Sequence, residues 1–258
     1  MDSKKMKFGT VKNKFINKGR PTKIYYPISD VDINNQLHEI LTDEYYKPKN
    51  KDNDICVDIG ANIGMATMYF KNFCKRIYSI EPSPENYIAL VNNVGKFKNI
   101  KTFNHAIYTT NQPLKLLGYN NEPPQTTRPN VVNDVFPTPT SAIYVPCKTL
   151  EQFMKDENIN VIDVLKIDVE GSEYEIFLDE TFDRIAFKIK CIVGETHFTS
   201  DGIIPQLAEY TLQQLGFKFK FLKGKRTSNT FKKYTYSVGD KIVKESTFPL
   251  WTNFIAWR

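Results

Sequence analysis

Ile-Cys-Val-Asp-Ile-Gly-Ala-Asn-Ile-Gly occupies residues 55–64, and Met-Ala-Thr-Met-Tyr-Phe follows at 65–70. The apolar run 55–59 carries one acid, Asp58, and reads as a short buried strand. The turn after it holds Gly60, Asn62 and Gly64. Glycine has no side chain to keep a ligand away from the backbone, and the helix that follows offers free N–H groups at its start. Such a corner suits a nucleotide-like cofactor. Asp58 either accepts a hydrogen bond from a cofactor ammonium or orders the turn.

The same rhythm extends outward. Residues 76–80 form a second strand, closed by Glu81-Pro82-Ser83-Pro84, with Pro84 suited to the first turn of a helix reaching about residue 94. A third strand spans 100–107. Helices are expected at 62–71, 150–157, 172–178 and 203–215, and further strands at 114–117, 142–145, 161–169, 190–194, 217–222, 234–238 and 253–257. Strands alternating with helices imply βαβ units and a parallel sheet, and the aromatic strands at the end imply an antiparallel finish. Residues 1–50 read as an N-terminal helical cap, with helix-like spacing over 33–46 and Asp32 as its N-cap. Residues 51–258 form the main domain. Within it, 108–141 is a Pro-rich insertion carrying Pro113, Pro123, Pro124, Pro129, Pro137 and Pro139, expected to be a loop on the substrate side.

Composition bounds the function. The chain has 258 residues, 41% of them hydrophobic, 13% aromatic and 25% charged, enough for a sizeable core. No apolar run approaches the roughly 18 residues of a membrane span. Cys56, Cys74, Cys147 and Cys191 make no Cys-x-x-Cys pair and fit a reducing compartment. The opening Met-Asp-Ser-Lys-Lys-Met-Lys-Phe lacks the apolar core of a secretory signal, so a cytoplasmic location is expected. The net charge of +6 reflects lysine-rich segments at 4–23 and 215–233. It leaves a nucleic-acid partner open without requiring one.

Glu81, 17 positions after Gly64, closes the second strand, where an acid can accept hydrogen bonds from vicinal ribose hydroxyls. A dinucleotide enzyme would carry G-x-G-x-x-G; the single G-x-x-x-G here offers no seat for a pyrophosphate. Adenosine without phosphate fits better, and S-adenosylmethionine is the common cofactor of that kind. Lys166, Asp168 and Glu170, in Leu-Lys-Ile-Asp-Val-Glu-Gly-Ser-Glu at 165–173, fall on one side at period 2 near the end of a strongly apolar strand. Charges there are costly to bury unless they are paired or working. Glu195 and His197, in Gly-Glu-Thr-His at 194–197, share one side at another strand end. His197 is a candidate general base, and Asp168, Glu195 and His197 are candidate ligands for a divalent cation such as Mg²⁺.

These pieces, with Asn104-His105-Ala106-Ile107, resemble in this order the FkbM family of S-adenosylmethionine-dependent methyltransferases over about 55–200. The resemblance implies a class I methyltransferase fold: a Rossmann-like, mostly parallel seven-stranded α/β sheet with helices on both faces. It also implies methylation of an oxygen on a sugar, glycan or related product. It places Gly60, Asn62 and Gly64 along the methionine end of the cofactor and Glu81, with Pro82, at the ribose. Asn104, His105 and Ala106 fall near the adenine, and Lys166, Asp168 and Glu170 face the transferred methyl group and the acceptor. The proton of the acceptor alcohol then goes to Asp168, Glu195 or His197. Two competing readings remain: an RNA ribose 2′-O-methyltransferase, which needs a second catalytic lysine, and a non-catalytic binding protein on the same fold.

Overall fold

The computed structural model describes residues 6–27, 33–117, 125–126, 142–197, 205–222, 231–238, 241–249 and 251–258. Asp32, Ile203, Ile204 and most of the proline-rich stretch beyond residue 117 lie outside the described residues. In chain order the elements begin with β1 (Met6–Lys12), β2 (Pro21–Pro27), α1 (Ile33–Leu41), β3 (Asn53–Ile59), α2 (Met65–Phe70), β4 (Cys74–Ile80) and α3 (Pro84–Val94). Next come β5 (Ile100–Phe103), β6 (Ala106–Ile107), β7 (Leu114–Leu117), β8 (Gln125–Thr126), β9 (Ala142–Val145), β10 (Cys147–Lys148) and α4 (Leu150–Asp156). The rest are β11 (Val164–Ile167), α5 (Glu173–Leu178), α6 (Glu180–Ala186), β12 (Cys191–His197), α7 (Pro205–Gln214), β13 (Lys218–Phe221), β14 (Phe231–Val238), β15 (Lys241–Pro249) and β16 (Trp251–Trp257).

The central sheet has seven strands in the order β13-β16-β12-β11-β3-β4-β5. β11 pairs in parallel with both β3 and β12, β3 with β4, and β4 with β5. β16 runs antiparallel to both neighbours, β12 and β13. This is the mostly parallel, antiparallel-finished seven-stranded α/β sheet that the sequence predicts. β3 and β11 lie side by side, yet the chain leaves β3 toward one sheet edge and β11 toward the other. In open α/β sheets that switch point is where ligands bind, outside the carboxyl ends of the strands.

The apolar run in β3 is explained by burial on both faces. Ile55, Val57 and Ile59 pack with Phe153, Phe177, Phe182 and Leu212 from α4, α5, α6 and α7. Cys56, one residue out of step, joins Leu37, Leu41, Met68, Tyr69 and Leu90 from α1, α2 and α3 on the opposite face. All four cysteines are buried free thiols.

Several boundaries differ from the sequence reading. The N-terminal region opens with the antiparallel β1–β2 pair before its helix, and that helix stops at Leu41. Asn93 of α3 clamps the pair to the glycine turn: Tyr25 N–H donates to its Oδ1 at 2.7 Å, and its Nδ2 donates to the Tyr25 and Ile63 carbonyls at 2.9 and 2.8 Å. The expected strand over 100–107 breaks at Asn104, and Ala106–Ile107 pairs with β10 instead. Helix α6 was not anticipated; the Asp179 side chain caps it by accepting from Thr181 N–H at 2.8 Å. β14 pairs with β15 outside the main sheet.

Candidate active site

The glycine turn rests on the end of β11. Gly60 has φ +72°, and a Cβ there would fall 1.9 Å from the Asp168 carbonyl oxygen, so no side chain fits. Asn62, at φ +50°, is one of the few non-glycine types that adopt this conformation readily. Beneath the turn lies a buried polar support. Lys166 and Asp58 are register partners on adjacent strands. Lys166 Nζ donates to the Gly60 carbonyl at 2.6 Å and lies 3.3 Å from that of Ile59, 3.4 Å from Asp58 Oδ1 and 3.6 Å from Asp168 Oδ2. Asp58 Oδ2 accepts from Thr67 Oγ1 at 2.6 Å. Burial pulls the Lys166 ammonium down in pKa, but the carboxylates of Asp168, Asp58 and Glu81 more than reverse it, and the group stays charged.

This geometry corrects two expectations. Asp58 orders the turn and is not among the residues lining the cleft, because its side chain is enclosed under α2. Lys166 does not face an acceptor, because its ammonium is committed to backbone carbonyls with its side chain 3% exposed.

Above the turn opens a cleft of about 620 Å³, lined among others by Gly60, Asn62, Glu81, His105, Asp168 and Glu170. Glu81 Oε2 accepts from Asn62 N–H at 2.8 Å and Oε1 from Ser83 N–H at 2.9 Å. Burial raises its pKa to about 7 against the pull of those two N–H groups and Lys166. Pro82 and Ala106 also line the cleft. Asn104 does not, and its Nδ2 donates to the Glu81 and Pro82 carbonyls at 2.9 and 3.1 Å, so it braces the corner that those two residues form. His105 is buried, and its Nδ1 lies 3.0 Å from the Ala106 carbonyl oxygen. A carbonyl can only accept, so Nδ1 carries the proton. Nε2 is then an acceptor, buried and without a hydrogen-bond partner among the described residues. Burial lowers the His105 pKa, which keeps the ring neutral. Gly64 (φ +91°) packs against Leu90 and Val94 and does not line the cleft.

The opposite wall is acidic. Asp168 follows β11, and its Oδ2 accepts from Tyr46 Oη at 2.8 Å. Burial and the Asp168 carboxylate both raise the Tyr46 pKa, so the phenol remains a donor. The strand ends at Ile167, and Glu170 (φ +56°) and Gly171 (φ +103°) turn the chain. Glu170 therefore reaches the site through a turn rather than through strand periodicity. His197 Nε2 lies 3.5 Å from Glu170 Oε2 and 3.9 Å from Glu195 Oε1. Its Nδ1 lies 3.0 Å from Glu173 Oε1, which also accepts from Val169 N–H at 2.9 Å. Burial lowers the His197 pKa, yet Glu173 and Glu170 override it and hold the imidazole well above its ordinary value. Burial and the neighbouring Asp168 raise Glu195. The Tyr174 hydroxyl ties the end of β12 down by donating to the His197 carbonyl at 2.7 Å.

Two members of this wall were not assigned there from sequence. Glu173 stands in the first turn of α5, where an acid suits a helix start, but it is fully buried and orients His197; its local signal is an acid inside an otherwise apolar helix face, beside Tyr174, Ile176 and Phe177. Tyr46 lies 122 positions from Asp168, and no local pattern announces it.

Residues 58–219 match the family model for the methyltransferase FkbM domain. The methyltransferase sdnD of Sordaria araneosa is 28% identical over 225 residues, spanning 75% of this chain and 85% of that protein. Among solved structures, precorrin-6y C5,15-methyltransferase from Geobacter metallireducens has a TM-score of 0.42 at 16% identity, covering 100% of this chain and 97% of its own. M. capricolum TrmK, solved with S-adenosyl-homocysteine, has a TM-score of 0.42 at 13% identity, covering 84% and 66%.

Proposed function

The chain belongs to the FkbM methyltransferase family, and we propose that it moves the methyl group of S-adenosylmethionine onto a hydroxyl of a sugar, glycan or related metabolite. The observation that carries this reading is the pairing of a glycine-turn corner, with Glu81 and His105 in it, with an acid in one cleft. Glu81 and His105, whose buried Nε2 has no hydrogen-bond partner among the described residues, line the same cleft as Asp168. Each fits a part of the cofactor. Glu81 would accept from the ribose hydroxyls. His105 Nε2 would accept from the adenine amino group. The Gly60–Gly64 turn gives the methionine part close access to backbone. When bound, S-adenosylmethionine supplies an electrophilic methyl group.

An alcohol is a weak nucleophile at neutral pH and needs its proton taken or shared. Asp168 is the best-positioned base: it lines the cleft, and Tyr46 and Lys166 both address its Oδ2. Glu173 and Glu170 hold the His197 imidazole above its ordinary pKa, so with no cation bound it donates a hydrogen bond and is not the resting base. The ribose-methylating alternative is disfavoured because Lys166 is turned away from the cleft, into the glycine turn. No described helix is long and apolar enough to cross a membrane, and four reduced cysteines fit a cytoplasmic setting. The test is calorimetry of the folded chain with S-adenosylmethionine and S-adenosylhomocysteine, followed by release of the latter against a panel of methyl glycosides and other alcohols. Uptake of both nucleosides is expected; no uptake of either overturns the reading.

A further inference from the structure

We propose that Asp168, Glu170 and Nε2 of His197 form a binding site for one divalent transition-metal cation, of the manganese, iron or zinc kind rather than magnesium. One ligand atom from each lies within 4.8 Å of the other two. Asp168 and Glu170 lie in the turn that follows β11 and His197 ends β12, and the sheet sets these two segments side by side because β11 and β12 are parallel neighbours. Glu195 Oε1, 3.9 Å from the imidazole, is a further oxygen within reach.

The imidazole is presented as a metal requires. Glu173 engages Nδ1, and the N–H groups of Val169 and Gly171 fix Glu173 in turn. A carboxylate on the far nitrogen sets the tautomer and aims the other nitrogen at the cation. The surrounding charges also call for a cation. Asp168, Glu170 and Glu195 converge here, while the neighbouring ammonium of Lys166 is divided among Gly60, Ile59, Asp58 and Asp168, reaching Asp168 only at 3.6 Å. Carboxylates that repel one another are drawn together by a divalent ion. The donor set decides its class: Mg²⁺ is selected by all-oxygen sites, whereas an imidazole among carboxylates favours the first-row transition metals. This replaces the ligand set expected from sequence, in which Glu195 stood where Glu170 now stands.

Use of the ion in catalysis rests on the methyl-transfer reading. Next to Asp168 it would polarise the acceptor hydroxyl as a Lewis acid, and the proton would pass to a neighbouring carboxylate.

The experiment titrates the full chain, first stripped by a chelator, with Mn²⁺ in the absence of any nucleoside, followed by calorimetry and by electron paramagnetic resonance. One Mn²⁺ per chain is expected, with Mg²⁺ at least about 10-fold weaker. Glu170→Gln, at a half-exposed position that leaves the fold intact, and His197→Gln should each weaken Mn²⁺ by at least about 10-fold. No uptake by folded wild type at millimolar Mn²⁺, or uptake unchanged in Glu170→Gln, overturns the site. Equal affinity for Mg²⁺ and Mn²⁺ removes the imidazole from it. Nucleoside binding is measured separately, so failure of the methyltransferase reading and failure of the metal site are distinguishable.

Discussion

The two walls of the cleft are built on opposite principles. The cofactor wall, from Gly60 to Glu81, is made of backbone: positive φ at Gly60 and Asn62, two N–H groups on one carboxylate, and Lys166 and Asp58 locked underneath. Its charges are neutralised within the fold. The other wall, which the proposed reaction gives to the acceptor, is made of side chains: Asp168 and Glu170 line the cleft, and His197 and Glu195 stand next to Glu170 outside its lining. A seat for a ligand common to many reactions can be rigid. A site proposed to move a proton needs groups left partly uncompensated, and these gather where the ends of β11 and β12 meet the Tyr46 segment.

Substitutions in each wall should therefore fail differently. The largest effect is expected from Asp168→Ala: turnover falls by about 10³-fold or more, as for loss of a general base, while calorimetric affinity for S-adenosylmethionine stays within a few-fold. Wild-type turnover would remove Asp168 from the chemistry. Gly60→Ala should cost about 3 kcal/mol of stability, read from urea unfolding, because the new Cβ meets the Asp168 carbonyl and φ +72° is strained for alanine.

Glu81→Gln should weaken cofactor binding by about 2 kcal/mol, the loss of charged hydrogen bonds, with the acceptor wall untouched. It also carries a pH signature. The folded carboxyl titrates at about 7 against 4.5 for the ordinary group, so the folded state binds more protons between those values. Stability of the ligand-free protein should then decline as pH rises through that window, by on the order of 3 kcal/mol at most from this group. Thermal unfolding of Glu81→Gln from pH 5 to 7.5 should show a flatter profile; an unchanged slope would assign it to other groups. The smallest effect is expected from Tyr46→Phe: loss of one hydrogen bond to a carboxylate, about 1 kcal/mol or 5- to 10-fold in turnover, with cofactor affinity unchanged. A loss of cofactor affinity instead would show that the two walls are coupled through Lys166.

The fold was legible because its signals are local. The apolar run 55–59, the glycine turn and the strand-ending Glu81 each state their structure within a few residues, and strands alternating with helices imply a parallel sheet. The class of cofactor followed from the same stretch. The residues of the acceptor wall were also visible as strand-end charges, but their assignments were not. Lys166 reads as a working group because a buried charge usually announces function, and Asp58 reads as either a ligand contact or a brace for the turn; the structure places the two as register partners on β3 and β11, with the Lys166 ammonium on the Gly60 carbonyl.

By itself, then, the sequence determined the sheet, its glycine corner and the set of charged strand ends, since each follows from periodicity and from backbone conformations that few residues can adopt. Only the tertiary structure decided which charges face the cleft and which are spent beneath it. It alone brought Tyr46 to Asp168 and Glu173 to His197. The reason is that a side chain's role depends on partners far along the chain, and a charge in one strand cannot reveal the burial or pairing that the neighbouring strand will impose.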